Sequence, residues 1–396
     1  MNRDPFCALA GSLGAFVESG PEVAELPVDA DEAVIVVGSQ AFNEADRSLD
    51  RLQIRSLQIL RAGATISRGR FDGLGARGLR DFLPLHDGVH ALTTTANDLV
   101  LHNLATNAEA TWAVRDLADI HTLTAVGECV LVASTATDEI VEIGLDGVVR
   151  DRVSLAGLRH VKSQPIAHDR VFGGLVGGTG TAGGAGTAGG AGTAGGVSTD
   201  RMAPSSTGGG EYQAPESTLH AQDHFHANEA FIGHESHRYA VVHHTTGFRP
   251  ILHATNRLVG HGSGGVVDLT NMRAYDLELV APHSARRTAD GYAVIDSGRQ
   301  RLLLTDPNWK PTGTVDLPGW GRGFGISPDA STWFVGISAT RRRYLRPKQT
   351  SVANALAVVR SGRTVATRVI TGVEQIWSVH VVSLAFAELL LRSMTG

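Results

Sequence analysis

The stretch that decides the fold is residues 282–338, PHSARRTADGYAVIDSGRQRLLLTDPNWKPTGTVDLPGWGRGFGISPDASTWFVGIS. One pattern occurs twice in it: a polar residue, His283 and then Arg322, begins a short strand, a turn follows, and a second strand ends in a small residue. Two such strands joined by a Gly, Asp or Pro turn predict a β-hairpin. Hairpins that recur about every forty residues are typical of β-propeller blades.

Further copies of this hairpin extend over most of the chain. The second strands align as AVIVVGS (33–39), DLVLHNL (98–104), CVLVAST (129–135), YAVVHHT (239–245), YAVIDSG (292–298) and TWFVGIS (332–338). The first strands before them are GVHALTT (88–94), DIHTLTA (119–125), FHANEAF (225–231), PHSARRT (282–288) and GRGFGIS (321–327). Nothing suitable precedes Ala33, and IWSVHVV (376–382) supplies the missing first strand. The sequence therefore predicts an all-β fold, a six-bladed propeller closed by a C-terminal strand.

The repeats also set the domain boundaries. Residues 1–32 form an N-terminal lead-in, 33–382 form the propeller, and 383–396 form a C-terminal tail with helical periodicity. Between blades 3 and 4 lies a segment rich in Gly, Ala and Thr, residues 162–222. Its low-complexity composition offers little apolar surface for a core, so we expect a flexible, disordered insertion.

Composition excludes several classes of protein. The net charge of −5 argues against a general nucleic-acid or membrane-surface binder, and we expect neither partner. No run reaches the roughly 18 apolar residues that a membrane span needs. Two cysteines offer no disulfide framework, and the N-terminus lacks the features of a signal peptide, so we expect a cytoplasmic protein.

Histidines recur at one position of the repeat. His90, His121, His226 and His283 each stand near the start of a first strand, seven residues before the hairpin turn. In a propeller the first strands line the central channel, so equivalent positions form a ring around its axis. Neutral imidazoles that converge on one point suit a divalent transition metal such as Fe, Zn or Mn. The alternative is that these histidines are polar, hydrogen-bonding residues of a water-filled channel.

Arg322 occupies the same position in the next blade. A guanidinium there can bind a carboxylate or phosphate, or it can pair with a nearby acid. We name Arg322 and Glu229 as candidate catalytic residues, because Arg322 would orient an anionic substrate and Glu229 lies close to a ring histidine. Asp87, Asp119 and Glu229 either fix imidazole tautomers or are simple surface carboxylates. Trp377 on the closing strand is either a stacking wall or part of the core.

The repeats HSARRTADGYAVIDSGRQRLLLTD and RGFGISPDASTWFVGIS resemble the six-bladed propellers of the NHL and SMP-30/gluconolactonase type. The resemblance covers residues 33–382 apart from the insertion, and it concerns architecture. Gluconolactonase-like members bind a divalent cation on the axis through Glu, Asn and Asp side chains. This chain offers histidines instead, so the resemblance does not carry over lactonase activity.

These observations favour a metal-dependent enzyme that acts on a small, anionic metabolite. The metal would serve as a Lewis acid or would activate water or oxygen, and isomerisation, elimination, hydrolysis and oxygenation all stay open. The competing hypothesis is a non-catalytic propeller that binds a ligand or a protein partner on its loop face.

Overall fold

A computed structural model describes residues 26–39, 57–61, 64–67, 79–94, 97–160, 164–165, 223–248, 261–338, 354–370, 373 and 375–395. Apart from residues 164–165, the insertion predicted over 162–222 lies outside them.

The strands of the N-terminal half belong to three blades. Blade 1 begins with β1 (Glu32–Ser39), β2 (Leu57–Arg61) and β3 (Ala64–Ser67). Blade 2 consists of β4 (Asp81–Pro84), β5 (His90–Thr94), β6 (Leu99–Asn103) and β7 (Ala108–Trp112). Blade 3 consists of β8 (Ile120–Val126), β9 (Cys129–Ser134), β10 (Glu139–Gly144) and β11 (Val149–Ser154).

The C-terminal half adds three blades and completes the first. Blade 4 contains β12 (Gln164–Pro165), β13 (Ala227–Ile232), β14 (Arg238–Val242), β15 (Gly264–Asp268) and β16 (Arg273–Leu279). Blade 5 contains β17 (Pro282–Arg287), β18 (Tyr292–Asp296), β19 (Arg301–Thr305) and β20 (Pro311–Asp316). Blade 6 contains β21 (Trp320–Ile326), β22 (Trp333–Ser338), β23 (Ala355–Arg360) and β24 (Arg363–Val369). The last elements are β25 (Gln375–Ser383) and helix α1 (Leu384–Thr395).

The predicted six-bladed propeller and its closure are confirmed. β25 pairs antiparallel with β1, with Ala33 opposite Val382 and Val36 opposite Val379, so blade 1 has the order β25-β1-β2-β3. The two ends of the described chain thus share one sheet. In blade 4, β12 adds a short parallel strand to the outer edge of the sheet, beside β16.

The hydrophobic core is divided among the interfaces between blades. In β1, Val34 and Val36 pack with residues of blade 6, whereas Ile35 and Val37 pack with residues of blade 2 and helix α1. Successive side chains of a strand point to opposite faces, and here both faces are covered. This explains why the second strands are almost continuously apolar. Helix α1 packs through Phe386, Ala387 and Leu390, and no helix in the described part of the chain is long and apolar enough to cross a membrane.

The inner strands carry β-bulges near their starts. The register shifts between Ile120 and Leu123 in β8, and equivalent shifts occur in β13, β17 and β21. In blade 1 the pairing of β1 skips Trp377 on β25. A bulge leaves one residue outside the ladder and redirects its side chain, a geometry common beside functional sites. The bulges therefore set which side chains reach the channel.

Candidate functional site

Residues at or near the starts of the six inner strands form a ring at one mouth of the channel, and five of the six lie at β-bulges. Its members, one from each blade, are Trp377, Arg80, His121, Asn228, His283 and Arg322, in order from blade 1 to blade 6. Arg80 belongs to this set because its backbone N–H continues the ladder of β4 to the carbonyl of Thr94. In blade 6, Gly323 has a φ of +74°, and a Cβ there would lie 2.8 Å from the Cα of Ser378, so glycine is required beside Arg322.

Five ring members and two following residues line a small cavity that is partly open to solvent and has an interior volume of about 10 Å³, close to the space that one water molecule needs. The lining residues are His121, Thr122, Asn228, His283, Ser284, Arg322 and Trp377. Among these described residues there is a guanidinium, and none carries a carboxylate. Cavities that bind drug-sized ligands measure roughly 300–1,000 Å³, so the interior of this cavity is too small for an organic ligand, and a ligand would have to bind in the part that is open to solvent. Its chemistry favours an anion.

Arg322 is held in place by an aromatic ring. Its Cζ lies 3.8 Å from the centre of the Trp377 ring, and its Nη1 donates to Oε1 of Gln375 at 3.3 Å. The Cζ of Arg80 lies 4.5 Å from the same ring, and Nη2 of Arg80 pairs with Asp119 at 3.0 Å. A guanidinium stacked on an indole gains cation–π attraction and loses conformational freedom. The sequence hypothesis of a stacking role for Trp377 therefore agrees with this geometry.

The tautomer of His283 follows from its hydrogen bonds. The Ser297 hydroxyl donates its only proton to the carbonyl of Gly321 at 2.7 Å. The contact of 2.7 Å between Ser297 Oγ and His283 Nδ1 must therefore have Nδ1–H as the donor. When the ring is neutral, its proton is on Nδ1, and Nε2 is a hydrogen-bond acceptor.

His121 is oriented in a similar way. The Asn228 amide donates through Nδ2 to the carbonyl of Pro282 at 2.5 Å, so its Oδ1 accepts from His121 Nδ1–H at 2.8 Å. Nε2 of His121 lies 3.3 Å from Oδ2 of Asp119. Burial lowers the pKa of His121 to about 4, although Asp119 acts in the opposite direction. His121 is therefore neutral at pH 7.

A series of imidazole contacts leads from His121 in blade 3 to His283 in blade 5. The centres of His121 and His226 lie 5.4 Å apart, those of His226 and His243 4.4 Å, and those of His243 and His283 5.8 Å. Nδ1 of His226 lies 2.6 Å from Oδ2 of Asp223. Nε2 of His243 is buried and has no hydrogen-bond partner among the described residues. Burial and the neighbouring imidazoles hold the pKa of His243 well below its usual value.

The sequence placed His90 on an inner strand, and this placement is wrong. The inner strand of blade 2 is β4, which the sequence analysis did not predict. The strand predicted as the first of this blade is therefore its second strand, β5, and the later strands of the blade shift by one in the same way. His90 begins β5, where its Nδ1 lies 2.6 Å from Asp87 and its Nε2 lies 3.0 Å from Asn103. Its assignment as a metal ligand loses its basis, and Arg80 holds the ring position instead.

His226 lies beside the ring and not in it. It precedes β13 with a φ of +52°, an uncommon conformation for a residue other than glycine. Asp138 stabilises this conformation because its carboxylate accepts the backbone N–H groups of His224, Phe225 and His226. Asn228, two residues later, has the ring position. A count of seven residues back from the hairpin turn led to His226 because the connection between the first and second strands differs in length from blade to blade. It comprises residues 127–128 in blade 3 but residues 327–332 in blade 6.

Glu229 does not line the cavity, although the sequence makes it a candidate catalytic residue. It is 2% exposed, and its carboxylate accepts the backbone N–H of Ala285 at 2.7 Å and pairs with Arg286. Burial raises the pKa of Glu229, and Arg286 opposes this effect. The carboxylate thus connects the inner strands of blades 4 and 5. The sequence analysis offered two roles for Glu229, a partner of an imidazole or a surface carboxylate, and it has neither. Asp119, by contrast, does contact His121.

The donor chemistry of the histidines suits a metal, but their present arrangement does not. In metal sites one imidazole nitrogen typically donates to a fixed acceptor while the other binds the ion. His121, His226 and His283 all have fixed Nδ1 atoms. However, no three His, Cys, Asp or Glu side chains of the described residues form a group that could hold a metal ion. The metal therefore stays a prediction, and we assign no chemical step to it.

The neutral imidazoles should make the fold sensitive to acid. Below pH 6.5 the unfolded chain binds protons at His121 and His243, whereas the folded chain resists them, so stability falls as the pH falls. His121 alone would lower the free energy of unfolding by about 3 kcal/mol between pH 6.5 and 4. Asp138 and Glu229 act in the opposite direction, since their pKa values are raised in the folded state.

Urea unfolding at several pH values would test this expectation. The variant His121→Asn keeps a donor at the Nδ1 position towards Asn228 but cannot be protonated. Its stability should fall less steeply than that of the wild type between pH 6.5 and 4. Parallel curves for the two proteins would contradict the prediction.

Comparisons with known proteins support no activity. No protein-family model matches the chain, and no curated protein does. Among solved structures, similar chains include one from a nidogen/laminin complex, at 7% identity, covering 88% of this chain and 98% of that one, with a TM-score of 0.48. A putative 6-phosphogluconolactonase from Bacteroides fragilis matches at 12% identity, with coverages of 84% and 78% and a TM-score of 0.41. A calcium-binding regucalcin from Agrobacterium tumefaciens matches at 11% identity, with coverages of 75% and 75% and a TM-score of 0.40.

None of these scores reaches 0.5, so the description of the fold rests on the chain's own strand pairing. That pairing defines a six-bladed β-propeller with a small, polar cavity at one mouth of its channel.

Proposed function

We propose that the cavity at the channel mouth binds a small organic anion, with Arg322 as its charged anchor. The observation that carries this proposal is the composition of the lining, in which a stacked guanidinium stands among hydroxyl, amide and imidazole groups. A buried guanidinium forms strong, charge-assisted hydrogen bonds with carboxylates and phosphates. The hydroxyl of Ser284 and the imidazole of His283 lie in the same cavity and provide further polar contacts.

The interior of the cavity measures only about 10 Å³, so the anion would bind at its open mouth, with its charged group towards Arg322. We therefore use a small carboxylate, glycolate, as the probe. Ligand-observed NMR and thermal unfolding of the full chain would measure binding. We expect saturable binding and a rise in the unfolding temperature as glycolate is added. A failure of glycolate, acetate and inorganic phosphate alike to bind would overturn the proposal.

A second candidate function is a metal-dependent reaction on the same anion. The observation that favours it is the fixed orientation of His121, His226 and His283 through their Nδ1 atoms. Elemental analysis of purified protein would test it. A stoichiometric transition metal that is lost when His121 and His283 are both replaced would support metal dependence. A metal-free protein that still binds glycolate would support the simple binding function.

A further inference from the structure

The turn of the inner hairpin of blade 5 contains a chemically reactive sequence. Asp290 precedes Gly291 in the connection between β17 and β18. An aspartyl carboxyl group can react with the main-chain nitrogen of the next residue, and glycine hinders this reaction least because it has no Cβ. The chain has four Asp–Gly pairs, at residues 72–73, 87–88, 146–147 and 290–291, and the structure describes the last three.

Hydrogen bonds hold the main-chain nitrogen in two of the three described pairs. The N–H of Gly88 donates to the carbonyl of Leu85 at 3.1 Å, and that of Gly147 donates to the carbonyl of Gly144 at 2.8 Å. The N–H of Gly291 donates no hydrogen bond within the described part of the chain. Among these three nitrogens, only that of Gly291 can therefore approach a carboxyl group without the loss of a hydrogen bond.

The carboxyl groups differ in the same way. All three aspartates are exposed, so access to water does not distinguish them. Asp87 accepts the backbone N–H of Val89 at 2.9 Å, and Asp146 pairs with Arg150 at 2.6 Å. Asp290 forms no hydrogen bond or ion pair with the residues that the structure describes. Its carboxyl group is therefore free to turn towards the next nitrogen.

The protonation state adds to this difference. The reaction expels water, and it therefore uses the neutral carboxyl group. Burial raises the pKa of Asp87, but backbone hydrogen bonds outweigh this effect and hold the pKa below its usual value. Hydrogen bonds from Val148 and Arg150 lower the pKa of Asp146. At neutral pH both groups are thus protonated in a smaller fraction of molecules than an ordinary aspartate is.

We propose that Asp290 is a site of spontaneous isomerisation to isoaspartate. The main-chain nitrogen of Gly291 attacks Cγ of the neutral carboxyl group, a C–N bond forms, and the hydroxyl group leaves with the amide proton as water. Water then opens the five-membered imide. Opening at Cγ restores aspartate, whereas opening at the main-chain carbonyl carbon leaves isoaspartate, with the main chain running through Cβ and Cγ. No oxidant or reductant takes part, and the mass of the protein is unchanged.

Isoaspartate adds one carbon atom to the main chain of this turn. Gly291 has a φ of +150°, and a Cβ there would collide with the carbonyl oxygen of Thr305. The carbonyl of Gly291 accepts the N–H of Thr288 at 2.9 Å and Nε2–H of His234 in blade 4 at 3.2 Å. The turn lies at the opposite end of β17 from His283, so the reaction is independent of the proposed anion site.

Peptide mapping of the aged protein tests this proposal. The folded, full-length chain is incubated at neutral pH below its unfolding transition and then digested. Aspartyl and isoaspartyl peptides have equal masses but separate on reversed-phase chromatography, and their fragment ions differ. We expect isoaspartate to form at residue 290 about fivefold or more faster than at residues 87 and 146, the factor for one hydrogen bond that must break first.

Two controls show whether the fold causes this selectivity. In concentrated urea the hydrogen bonds are lost, so the three sites should react at similar rates. Asp290→Glu can form only a less favourable six-membered imide, so it should remove the product at residue 290 and leave the other two sites unchanged. Equal rates at the three sites of the folded chain would overturn the proposal, as would the absence of isoaspartate at residue 290. This comparison uses one wild-type sample, so it is decisive even when the variant is unstable.

Discussion

Replacing Arg322 with glutamine should lower the affinity for glycolate by about 10- to 100-fold, the range expected for a hydrogen-bonded ion pair in a partly buried site. Arg322 is only 7% exposed, and its guanidinium is stacked on Trp377 before any ligand arrives. The protein has thus already lost the side-chain entropy that a flexible arginine would lose on binding. Glutamine keeps polar atoms at this position but removes the charge.

Two further variants show whether the charge or the shape matters. Arg322→Lys keeps the charge but loses the planar, bidentate geometry, so its affinity should lie between those of the wild type and the glutamine variant. Arg363→Gln removes an arginine from the exposed start of β24 and should leave binding unchanged. Titration of all three proteins with glycolate provides the measurement. Wild-type affinity in Arg322→Gln would contradict the proposed site.

Unfolding measurements on the same proteins separate binding from folding. Loss of the contact between Arg322 and Trp377 should cost roughly 0.5–2 kcal/mol of stability, which a large domain can tolerate. The glutamine variant should therefore remain folded at the temperature of the titration. Its loss of affinity then reports on the site itself.

The sequence predicted the architecture well because the signal is repeated. Most second strands are apolar on both faces, as the interfaces between blades require, and the copies at residues 33–39 and 292–298 differ little in pattern. The closing strand was predictable because one first strand was missing at the N-terminus. His121, His283, Arg322 and Trp377 were placed correctly on inner strands by the same repeat.

The remaining ring members could not be derived in this way. The inner strand β4 is only four residues long, DFLP, and the charge of Asp81 and the presence of Pro84 hide the usual strand pattern. The predicted strands of blade 2 were therefore displaced by one strand. Arg80 was consequently overlooked. Asn228 was overlooked because bulges and connections of unequal length break any fixed count along the chain. The tautomers of His121 and His283 depend on contacts between blades, which a single sequence does not contain.

Buried carboxylates hold neighbouring inner strands together, and Asp81 has the widest reach. It is 1% exposed, and it accepts the backbone N–H of Leu123 in blade 3 at 2.7 Å and lies 3.0 Å from Nε2 of His380 in blade 1. Burial raises the pKa of the Asp81 carboxyl, but hydrogen bonds from His380, Ser378 and Leu123 outweigh this and hold the pKa below its usual value. One carboxylate thus connects three blades around the channel.

Replacing Asp81 with alanine should lower the free energy of unfolding by about 3–5 kcal/mol, because the buried N–H of Leu123 and the partly buried imidazole of His380 both lose an acceptor. Asp81→Asn retains the volume but presents one NH₂ group to donors, so we expect a loss of about 2–3 kcal/mol. Asp146→Asn, in an exposed turn between β10 and β11, is the matched control and should leave the urea midpoint unchanged. Urea unfolding followed by fluorescence gives the three midpoints. If Asp81→Ala unfolds at the wild-type midpoint, Asp81 contributes no net stability, and the inner ring is held by blade packing alone.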